Sequence, residues 1–531
     1  EINAEVLIGH NIIGFDLPAL GKLLGFEWWG EVEDTLVMSR LDNPSREGGH
    51  SLASWGTRMN FPKGDYDDWS VYTDEMGEYC KQDVKVLVRL YKYMTSKRMS
   101  EKALEMEHKI AQITHKQTQN GWKFDLRKAT HLLAAIKEEM FIAEDEVRKV
   151  FKPLPVWTPL KYLKQTHKKD GGKTSNYINQ LAKGAEWHEI DGELQWGYYA
   201  FPEFNLGSRQ QIAKYLQHFG WEPKDFTELG TPIVSETILE TIEIPEGKLI
   251  AKYLMLQKRL GLVSAWIDAV DETGRIHGKV NTCGAVTGRM THSSPNLAQV
   301  PASHSPYGTD CRELFTVEEG YKLVGMDASG LELRMLAHYM NDEDYTNEVI
   351  NGDIHTANQR AANLESRDKA KTFIYAFLYG AGDSKIGSVV GGTAKDGKRL
   401  KQDFLKNTPA LKKLRTRVTS LADSGSLIGL DGRVLHVRSS HAALNTLLQS
   451  AGAIVMKRAV VLLDHFSQVY KIDYKIVGQI HDEVQVEVAE KQADFFGDLA
   501  VNCVRRAGKD FKLNCPLDGD YKIGTTWRET H

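Results

Sequence analysis

The chain has 531 residues, which is more than one ordinary hydrophobic core accommodates and predicts several domains. Hydrophobic residues make up 41% and charged residues 26%, as in typical globular proteins, and the net charge of −4 neither indicates nor excludes a nucleic-acid partner. The five cysteines are scattered without metal-ligand spacing, which predicts a reducing compartment. The sequence shows no signal peptide and no apolar run of membrane-spanning length, and its first residue, Glu1, predicts a processed or truncated chain.

The predicted element type changes several times along the chain. Hydrophobic periodicity separates helices from strands, and clusters of proline and glycine indicate loops. In chain order the segments are mixed strand and helix in 1–97, helix in 98–150, an inserted tip with little regular helix in 151–203, helix in 204–270, strands and turns in 271–340, basic helices in 341–436, and a long helix followed by a strand pair in 437–531.

Two aspartates are predicted to lie at strand ends. The stretch QIHDEVQVEV (Gln479–Val488) has the two-residue alternation of a strand, yet it contains Asp482. In YKLVGMDASGLELRMLAH, Asp327 lies where a buried strand meets a helix. Two carboxylates brought together this way repel each other and favour a shared cation such as Mg²⁺. The alternative is an ordinary strand-end acid and a solvated Asp-Glu pair.

The segment RDKAKTFIYAFLYGAG (Arg367–Gly382) predicts a helix that stops at glycines. Arg367, Lys371, Tyr375 and Tyr379 recur every four residues, so two cations and two rings follow one slowly winding stripe. Such cations could bind successive phosphates of a triphosphate, and a ring beyond them could stack on a base. An amphipathic helix with a solvated basic end and core tyrosines is the alternative.

These segments resemble a known family. DASGLELR, RDKAKTFIYAFLYGAG and HDE resemble motifs A, B and C of the family A DNA polymerases, in the right order, and are most similar to those of the replicative enzymes of T-seven-type bacteriophages. TGRMTHSSPNLAQVP, GDIHTANQ and LDGRVLHVRSSHAALNTLLQSAGA support the match. The resemblance implies a multidomain α/β and α+β protein with a right-hand polymerase fold and these domains: a truncated ribonuclease-H-like 3′–5′ exonuclease domain in 1–97, a thumb in 98–150 and 204–270, a thumb-tip insertion in 151–203, a palm in 271–340 and 437–531, and fingers in 341–436.

The resemblance implies template-directed DNA synthesis with two Mg²⁺ ions, and it assigns roles to individual residues. Asp327, Asp482 and the backbone carbonyl of Ala328 are expected to hold the metals, with Lys371 as a further catalytic group. Glu332 and Tyr375 are expected to exclude a ribose 2′-hydroxyl, and a Tyr at position 375 to tolerate dideoxynucleotides. The remaining expected contacts are Arg367, Lys371, Tyr375, His355, Glu332, Ser329, Gly330 and Leu331 for the incoming nucleotide, and Arg289, Gln299, Tyr379, Asn445, Gln449 and His481 for primer-template DNA.

The first 97 residues resemble part of a proofreading exonuclease. HNIIGFDLPAL and YCKQD are similar to its second and third motifs, which would make Asp16 and Asp83 metal ligands and Tyr79 the residue that orients water. The first motif, an Asp-x-Glu on an earlier strand, has no counterpart before Asp16. Two-metal hydrolysis needs those carboxylates. We therefore expect this region to be inactive or nearly so, unless a separate fragment supplies the strand.

Partners and rival functions remain open at this stage. In the similar phage enzymes the thumb insertion binds thioredoxin, so lysines or aromatic residues of 151–203 could bind DNA or a partner, or the tip could simply pack on itself. A replicative helicase is a further possible partner, and the host bacterial cytoplasm the expected location. The basic stretch Lys395–Arg417 is either a solvated helix face or a DNA contact. The rival functions are a single-subunit RNA polymerase and a non-catalytic DNA-binding accessory protein.

Overall fold

The computed structural model describes residues 4–223, 225–423, 425 and 427–531. The chain forms two compact units, one of residues 1–126 with 269–531 and the other of residues 127–268. The segment predicted as the first part of the thumb, 98–150, is therefore divided between the two units. Its first helix packs with the larger unit.

The described chain contains helices and strands in both units. The α-helices are α1 (Leu17–Leu24), α2 (Thr35–Asp42), α3 (Leu52–Arg58), α4 (Asp74–Ser96), α5 (Glu101–Asn120), α6 (Leu126–Val150), α7 (Ser175–Ala182), α8 (Arg209–His218), α9 (Glu236–Thr241), α10 (Pro245–Asp268), α11 (Gly308–Glu313), α12 (Leu331–Met340), α13 (Glu343–Asn351), α14 (Ile354–Ala362), α15 (Arg367–Leu378), α16 (Asp383–Val389), α17 (Ala394–Asn407), α18 (Pro409–Asp423), α19 (Ala443–Val469) and α20 (Ala493–Asp510). The strands are β1 (Val6–Gly9), β2 (Glu31–Asp34), β3 (Trp122–Phe124), β4 (Val156–Pro159), β5 (Glu186–Ile190), β6 (Glu193–Ala200), β7 (Arg275–Ile276), β8 (Lys279–Asn281), β9 (Thr291–Ser293), β10 (Phe315–Thr316), β11 (Tyr321–Ala328), β12 (Leu427–Ile428), β13 (Val434–Leu435), β14 (Tyr474–Ile480), β15 (Glu483–Ala489) and β16 (Gly519–Gly524).

The centre of the larger unit is an antiparallel sheet in the order β14-β15-β11-β16. Its strands are mostly buried because their Val, Leu and Ile side chains pack between helices. β14 and β15 form a hairpin in which Ile480 pairs with Glu483, so His481 and Asp482 are the two turn residues. The prediction of a single strand over Gln479–Val488 is therefore wrong, because the chain reverses at these two residues.

Helix α19 is the core helix of the larger unit. Residues Ser440–Val469 are long and apolar enough to cross a membrane by length and composition, with a mean hydropathy of 1.4, but 89% of that window is buried. The expectation that no apolar run reaches membrane-spanning length is therefore wrong for this segment. Its burial is typical of a helix at the centre of a globular core, and α5, α12 and α20 pack against it.

The N-terminal part of the larger unit is small and separately packed. β1 and β2 form a two-stranded parallel sheet. A core of Met38, Trp55, Leu90 and Met94 holds α2, α3 and α4 together.

The smaller unit contains the predicted tip. Residues 156–200 form a three-stranded antiparallel sheet, β4-β6-β5, with the short helix α7, in agreement with the prediction of little regular helix. Trp196 is buried, and its Nε1 donates to Gln180 Oε1 on α7 at 2.9 Å. The rings of Trp187 and Trp196 lie 5.6 Å apart. One face of this sheet is thus packed within the tip itself.

Candidate active site

Asp327 and Asp482 lie at the same end of the central sheet. Asp327 is the penultimate residue of β11 and is paired with Glu483 on β15 and Asp520 on β16. The next residue, Ala328, donates its backbone N–H to the carbonyl oxygen of Asp482 at 3.0 Å. The end of β11 therefore lies beside the β14–β15 turn. The sequence predicted that Asp327 and Asp482 would be brought together.

Negative charge accumulates at this end of the sheet. Partial burial, followed by repulsion from Asp482 and Glu483, raises the pKa of Asp327 to about 7, although its side chain remains accessible to solvent. Burial also raises the pKa of Asp482. His481 holds the turn in the left-handed region, with φ of +60°, which is uncommon for a residue with a side chain. A pair of carboxylates under mutual repulsion is suited to binding a cation.

Glu483, unlike Asp327 and Asp482, is held by several side-chain contacts. Its buried carboxylate accepts hydrogen bonds from Trp527 Nε1 at 2.6 Å and Gln485 Nε2 at 2.5 Å, and His531 Nδ1 lies 3.0 Å away. Burial by itself raises the pKa of Glu483, but the contact with His531 and these donors hold it below its usual value. Glu483 is thus engaged by the end of the chain, and sequence reasoning did not identify Trp527 or His531.

The donor set available to a metal is small. Among the described residues, no group of three or more His, Cys, Asp and Glu side chains is arranged to hold a metal ion. Two carboxylates, completed by a backbone carbonyl and by oxygen atoms of a substrate, form the kind of incomplete shell that Mg²⁺ uses with phosphates. Asp327, Asp482 and Ala328 fit that description.

Two cations, Arg367 and Lys371, and the histidine His355 act on one another near the start of α15. Ser366 caps this helix by accepting from Lys369 N at 3.2 Å. Arg367 Nε donates to Asp353 Oδ2 at 2.7 Å, and Asp353 in turn caps α14, which carries His355. Burial, and then the charges of Arg367 and Lys371, lower the pKa of His355. The charges of Arg367 and Lys371 thus disfavour protonation of His355, and sequence reasoning missed Asp353.

A second cluster joins α12, α15 and the segment before β9. Glu332 accepts hydrogen bonds from Tyr379 Oη at 2.8 Å and from Arg289 Nη2 at 3.1 Å. The rings of Tyr375 and Tyr379 are nearly parallel at 6.4 Å. Burial, and then the charges of Glu332 and Asp482, raise the pKa of Tyr375, so both carboxylates act on this ring. The structure thus brings together four of the predicted nucleotide and DNA contacts: Arg289, Glu332, Tyr375 and Tyr379.

The other predicted residues lie in the segment between β11 and α12, in the 3₁₀ turn Leu297–Gln299 and on α19. Ser329 Oγ donates to Asp520 Oδ2 at 3.1 Å, and Gly330 precedes α12 with φ of +58°. Leu331 is buried as the first residue of that helix, and Gln299 is exposed at the end of a 3₁₀ turn. Asn445 and Gln449 are half-buried one turn apart on α19.

The predicted exonuclease residues are arranged differently. Asp83 on α4 accepts a hydrogen bond from Lys63 Nζ at 2.6 Å, and the same Nζ lies 4.7 Å from the centre of the Tyr79 ring. Asp16 is exposed, and partial burial, together with Asp34, raises its pKa. Asp16 is therefore exposed to solvent, whereas Asp83 is paired with a lysine.

Comparison with known proteins assigns the family. The profile of DNA polymerase family A matches residues 176–529, and the chain belongs to this family. It is 36% identical to the DNA-directed DNA polymerase of Enterobacteria phage T3 and 35% identical to that of Escherichia phage T7, in both cases over 99% of this chain and 92% of the relative. Both alignments extend over 655 positions, which is more than the 531 residues of this chain. The relatives therefore have residues at many positions where this chain has none.

A solved structure has the same fold. The polymerase domain of Pol1 from M. smegmatis, in complex with DNA primer-template and dNTP, superposes with a TM-score of 0.78 at 18% sequence identity. The match covers 98% of this chain and 86% of that one. The family A polymerase fold predicted from the motifs is confirmed.

Proposed function

We propose that this DNA polymerase extends a primer 3′ end by template-directed addition of deoxynucleotides, in a reaction that uses two Mg²⁺ ions. The observation that carries the proposal is the pairing of the β11 end with the His481–Asp482 turn, which brings two mutually repelling carboxylates together. Asp327, Asp482 and the carbonyl of Ala328 would hold the ions. When bound, they would supply activation of the primer 3′-hydroxyl and stabilisation of the leaving pyrophosphate.

The cations of α14 and α15 would bind the triphosphate. Arg367, Lys371 and His355 face one region, and Lys371 has no ion-pair partner among the described residues. A free ammonium can offset the charge that develops on the phosphates in the transition state. Because Arg367 is paired with Asp353, its guanidinium has to exchange that carboxylate for phosphate when the nucleotide binds. Ser329, Gly330 and Leu331 would line the same nucleotide site.

Glu332 and Tyr375 would select the sugar. Glu332 is fixed by Tyr379 and Arg289, so its carboxylate cannot move away easily from an additional hydroxyl. Leaving a ribose 2′-hydroxyl without room or a partner is costly, which favours deoxynucleotides. The Tyr at position 375 would accept dideoxynucleotides.

Primer and template would follow the surfaces around this site. We assign DNA contacts to Arg289, Gln299, Tyr379, Asn445, Gln449 and His481, mostly at backbone and minor-groove edges. The relative from M. smegmatis was solved with primer-template DNA and dNTP, which supports this choice of ligands.

The domain roles belong to the same proposal. Residues 271–340 and 437–531 would be the palm, residues 341–436 the fingers, and residues 98–150 and 204–270 the thumb with its tip at 151–203. Residues 1–97 would be an exonuclease-like domain with little or no activity, because one of its acids is already paired with a lysine. The capture of Asp83 by Lys63 supports that assignment.

The remaining partners are inferred by analogy with phage replication enzymes. We infer a processivity factor such as thioredoxin at the tip, a replicative helicase, and action in the host bacterial cytoplasm. Titrating thioredoxin into a processivity assay tests the first of these, since longer products are expected only if the tip binds it.

A single variant tests the core of the proposal. Asp482→Asn should abolish primer extension while leaving primer-template binding intact, because it removes a metal ligand without changing side-chain size. Asp473→Asn, at the opposite end of the same sheet where Asp473 accepts from Tyr321 Oη at 2.7 Å, is the matched control and should extend normally. Extension by Asp482→Asn at the wild-type rate would refute the assignment. Parallel reactions with ribonucleotides test the RNA polymerase alternative.

A further inference from the structure

Four charged side chains form a buried cluster away from the proposed metal site. Glu107 on α5, Lys457 on α19, and Asp431 and Arg433 between β12 and β13 are each at most 4% exposed. Lys457 Nζ lies 2.5 Å and Arg433 Nη1 lies 2.7 Å from Glu107 Oε1. Arg433 also donates from Nε and Nη2 to Asp431 Oδ2, at 2.9 and 2.6 Å.

Such a cluster is not explained by stability alone. Removing charges from water is costly, and buried ion pairs often add little net stability compared with apolar side chains of the same size. Two acids and two bases compensate each other here, so the cluster is neutral and rigid. Its members come from three elements that are far apart in the chain, which fixes those elements relative to one another.

Arg433 lies directly against the segment that carries Arg289. Gly288 has φ of +73°, and a methyl group at its Cα would lie 2.8 Å from Arg433 Nη1. Only glycine leaves room for the guanidinium at this position. The turn around it is closed by hydrogen bonds from Gly288 N to Ala285 O at 2.8 Å and from Gly284 N to Arg289 O at 3.2 Å. The Arg433 guanidinium therefore packs against the backbone of this turn at Gly288.

Arg289 connects this turn to the proposed sugar-selecting residue. Its Nη2 donates to Glu332 Oε1 at 3.1 Å, and Glu332 also accepts from Tyr379. Lys457 of the buried cluster lines a cavity together with Arg289 and His481. A continuous series of contacts thus extends from the buried charges to the carboxylate of Glu332.

We propose that Arg433, held by Glu107 and Asp431, is a positioning residue that fixes Arg289 through Gly288 and thereby sets the orientation of Glu332 for discrimination between deoxyribose and ribose. This inference rests on the proposed role of Glu332 in excluding a ribose 2′-hydroxyl. Arg433 itself touches neither substrate nor metal in this account.

The test compares kcat/KM for a deoxynucleotide and the matching ribonucleotide on one primer-template, corrected for the fraction of active enzyme. Arg433→Lys keeps the charge facing Glu107 but loses the planar group against Gly288 and the paired contact with Asp431. We expect its preference for the deoxynucleotide to fall roughly fivefold or more, as for coupled residues in one network. Arg458→Lys, at an Arg–Asp pair on the surface of α19, is the matched control and should keep the wild-type preference.

Glu332→Ala and the double variant identify the route of the effect. If Arg433 acts through Glu332, Glu332→Ala lowers the preference, and adding Arg433→Lys lowers it no further. Glu107→Gln releases the guanidinium from its second partner and replaces Arg433→Lys if that variant does not fold.

Two results would overturn the inference, and they are distinguishable. If Glu332→Ala keeps the wild-type preference, the proposed role of Glu332 fails, and the inference fails with it. If Glu332→Ala loses the preference while Arg433→Lys and Glu107→Gln retain it, or lower both kcat/KM values equally, the proposed function stands and the positioning role is wrong.

Discussion

Aspartate carboxylates have different partners at the end of the central sheet and in the N-terminal region. Asp327 and Asp482 have no cationic side chain bound to them among the described residues, and the pKa of both is raised. Asp83 is neutralised by Lys63, and Asp34 accepts backbone N–H groups of Asn11 and Leu36 at 2.8 and 2.9 Å. A metal ion at Asp83 would have to displace Lys63, whereas one at Asp327 or Asp482 would relieve unfavourable charge.

The comparison teaches that motif residues alone do not define a site. Both regions carry acids in family-like motifs, but Asp83 is paired with Lys63, whereas Asp327 is repelled by Asp482 and Glu483. The side chains that contact an acid therefore carry information that its place in a motif does not.

The largest expected effect is on the rate of primer extension, when one aspartate is replaced in each region. Asp327→Asn should lower the single-turnover extension rate roughly a thousandfold or more, because charge at the reacting centre is lost. Asp83→Asn should leave that rate unchanged. Rapid-quench measurement of both variants on one primer-template decides the matter, and equal rates for the two would remove the contrast between the regions.

A smaller effect is expected from the cations of α15. Lys371→Met should lower kcat/KM for the incoming deoxynucleotide about a hundredfold, since a donor to the transferring phosphates is lost. Lys369→Met is the control two residues away, where the lysine pairs with Glu365 at 2.5 Å. Steady-state kinetics should separate them, and a normal kcat/KM for Lys371→Met would argue against triphosphate binding at this helix.

Stability should distinguish buried from surface ion pairs. Glu107→Gln should lower the free energy of unfolding by about 3 kcal/mol or more, because Lys457 and Arg433 lose a buried counter-charge. Glu105→Gln breaks the exposed pair with Lys109 on the same helix and should cost less than about 1 kcal/mol. Urea denaturation measures both, and similar losses would show that burial is unimportant here.

The same variant should change the acid sensitivity of the protein. Burial by itself raises the pKa of Glu107, but Lys457 and Arg433 hold it below its usual value, with Asp431 as the other charge facing the cluster. The ionised Glu107 carboxylate therefore stabilises the folded protein at pH values above the ordinary Glu pKa of about 4.3. This contribution is lost as the pH falls below that value. The unfolding free energy of Glu107→Gln should fall less steeply than wild type in that range, and parallel curves would contradict this.

The smallest expected effect is in the N-terminal region. A 5′-labelled primer with a mismatched 3′ end should show no shortening with Mg²⁺ in the absence of nucleotides. Asp16→Ala should give the same result as wild type. Shortening that disappears in Asp16→Ala would instead show that the exonuclease-like region is active and that Asp16 takes part in it.

Sequence patterns predicted the placement of several candidate residues better than the contacts that hold them. Asp327 lies at the predicted strand end, and Arg367 and Lys371 lie on the predicted helix, because both patterns are local. The contacts of Glu483 with Trp527 and His531, and of Glu107 with Lys457, join residues far apart in the chain. Nothing in the local sequence specifies such pairs.

Local pattern also failed where the backbone reverses. QIHDEVQVEV has the alternation of one strand, but His481 adopts a positive φ and turns the chain. The sequence lacks the Asn-Gly or Asp-Gly pair that usually indicates such a turn. A strained turn at this position is consistent with a functional role for Asp482.

The most direct test of the account is metal binding at the paired aspartates. Mn²⁺ can be titrated into the complex of enzyme, primer-template and a non-hydrolysable deoxynucleotide, with free Mn²⁺ followed by electron paramagnetic resonance. The account predicts two bound ions in wild type and in Asp473→Asn, and loss of tight binding in the Asp327→Asn, Asp482→Asn double variant. Two ions bound to the double variant with wild-type affinity would contradict it.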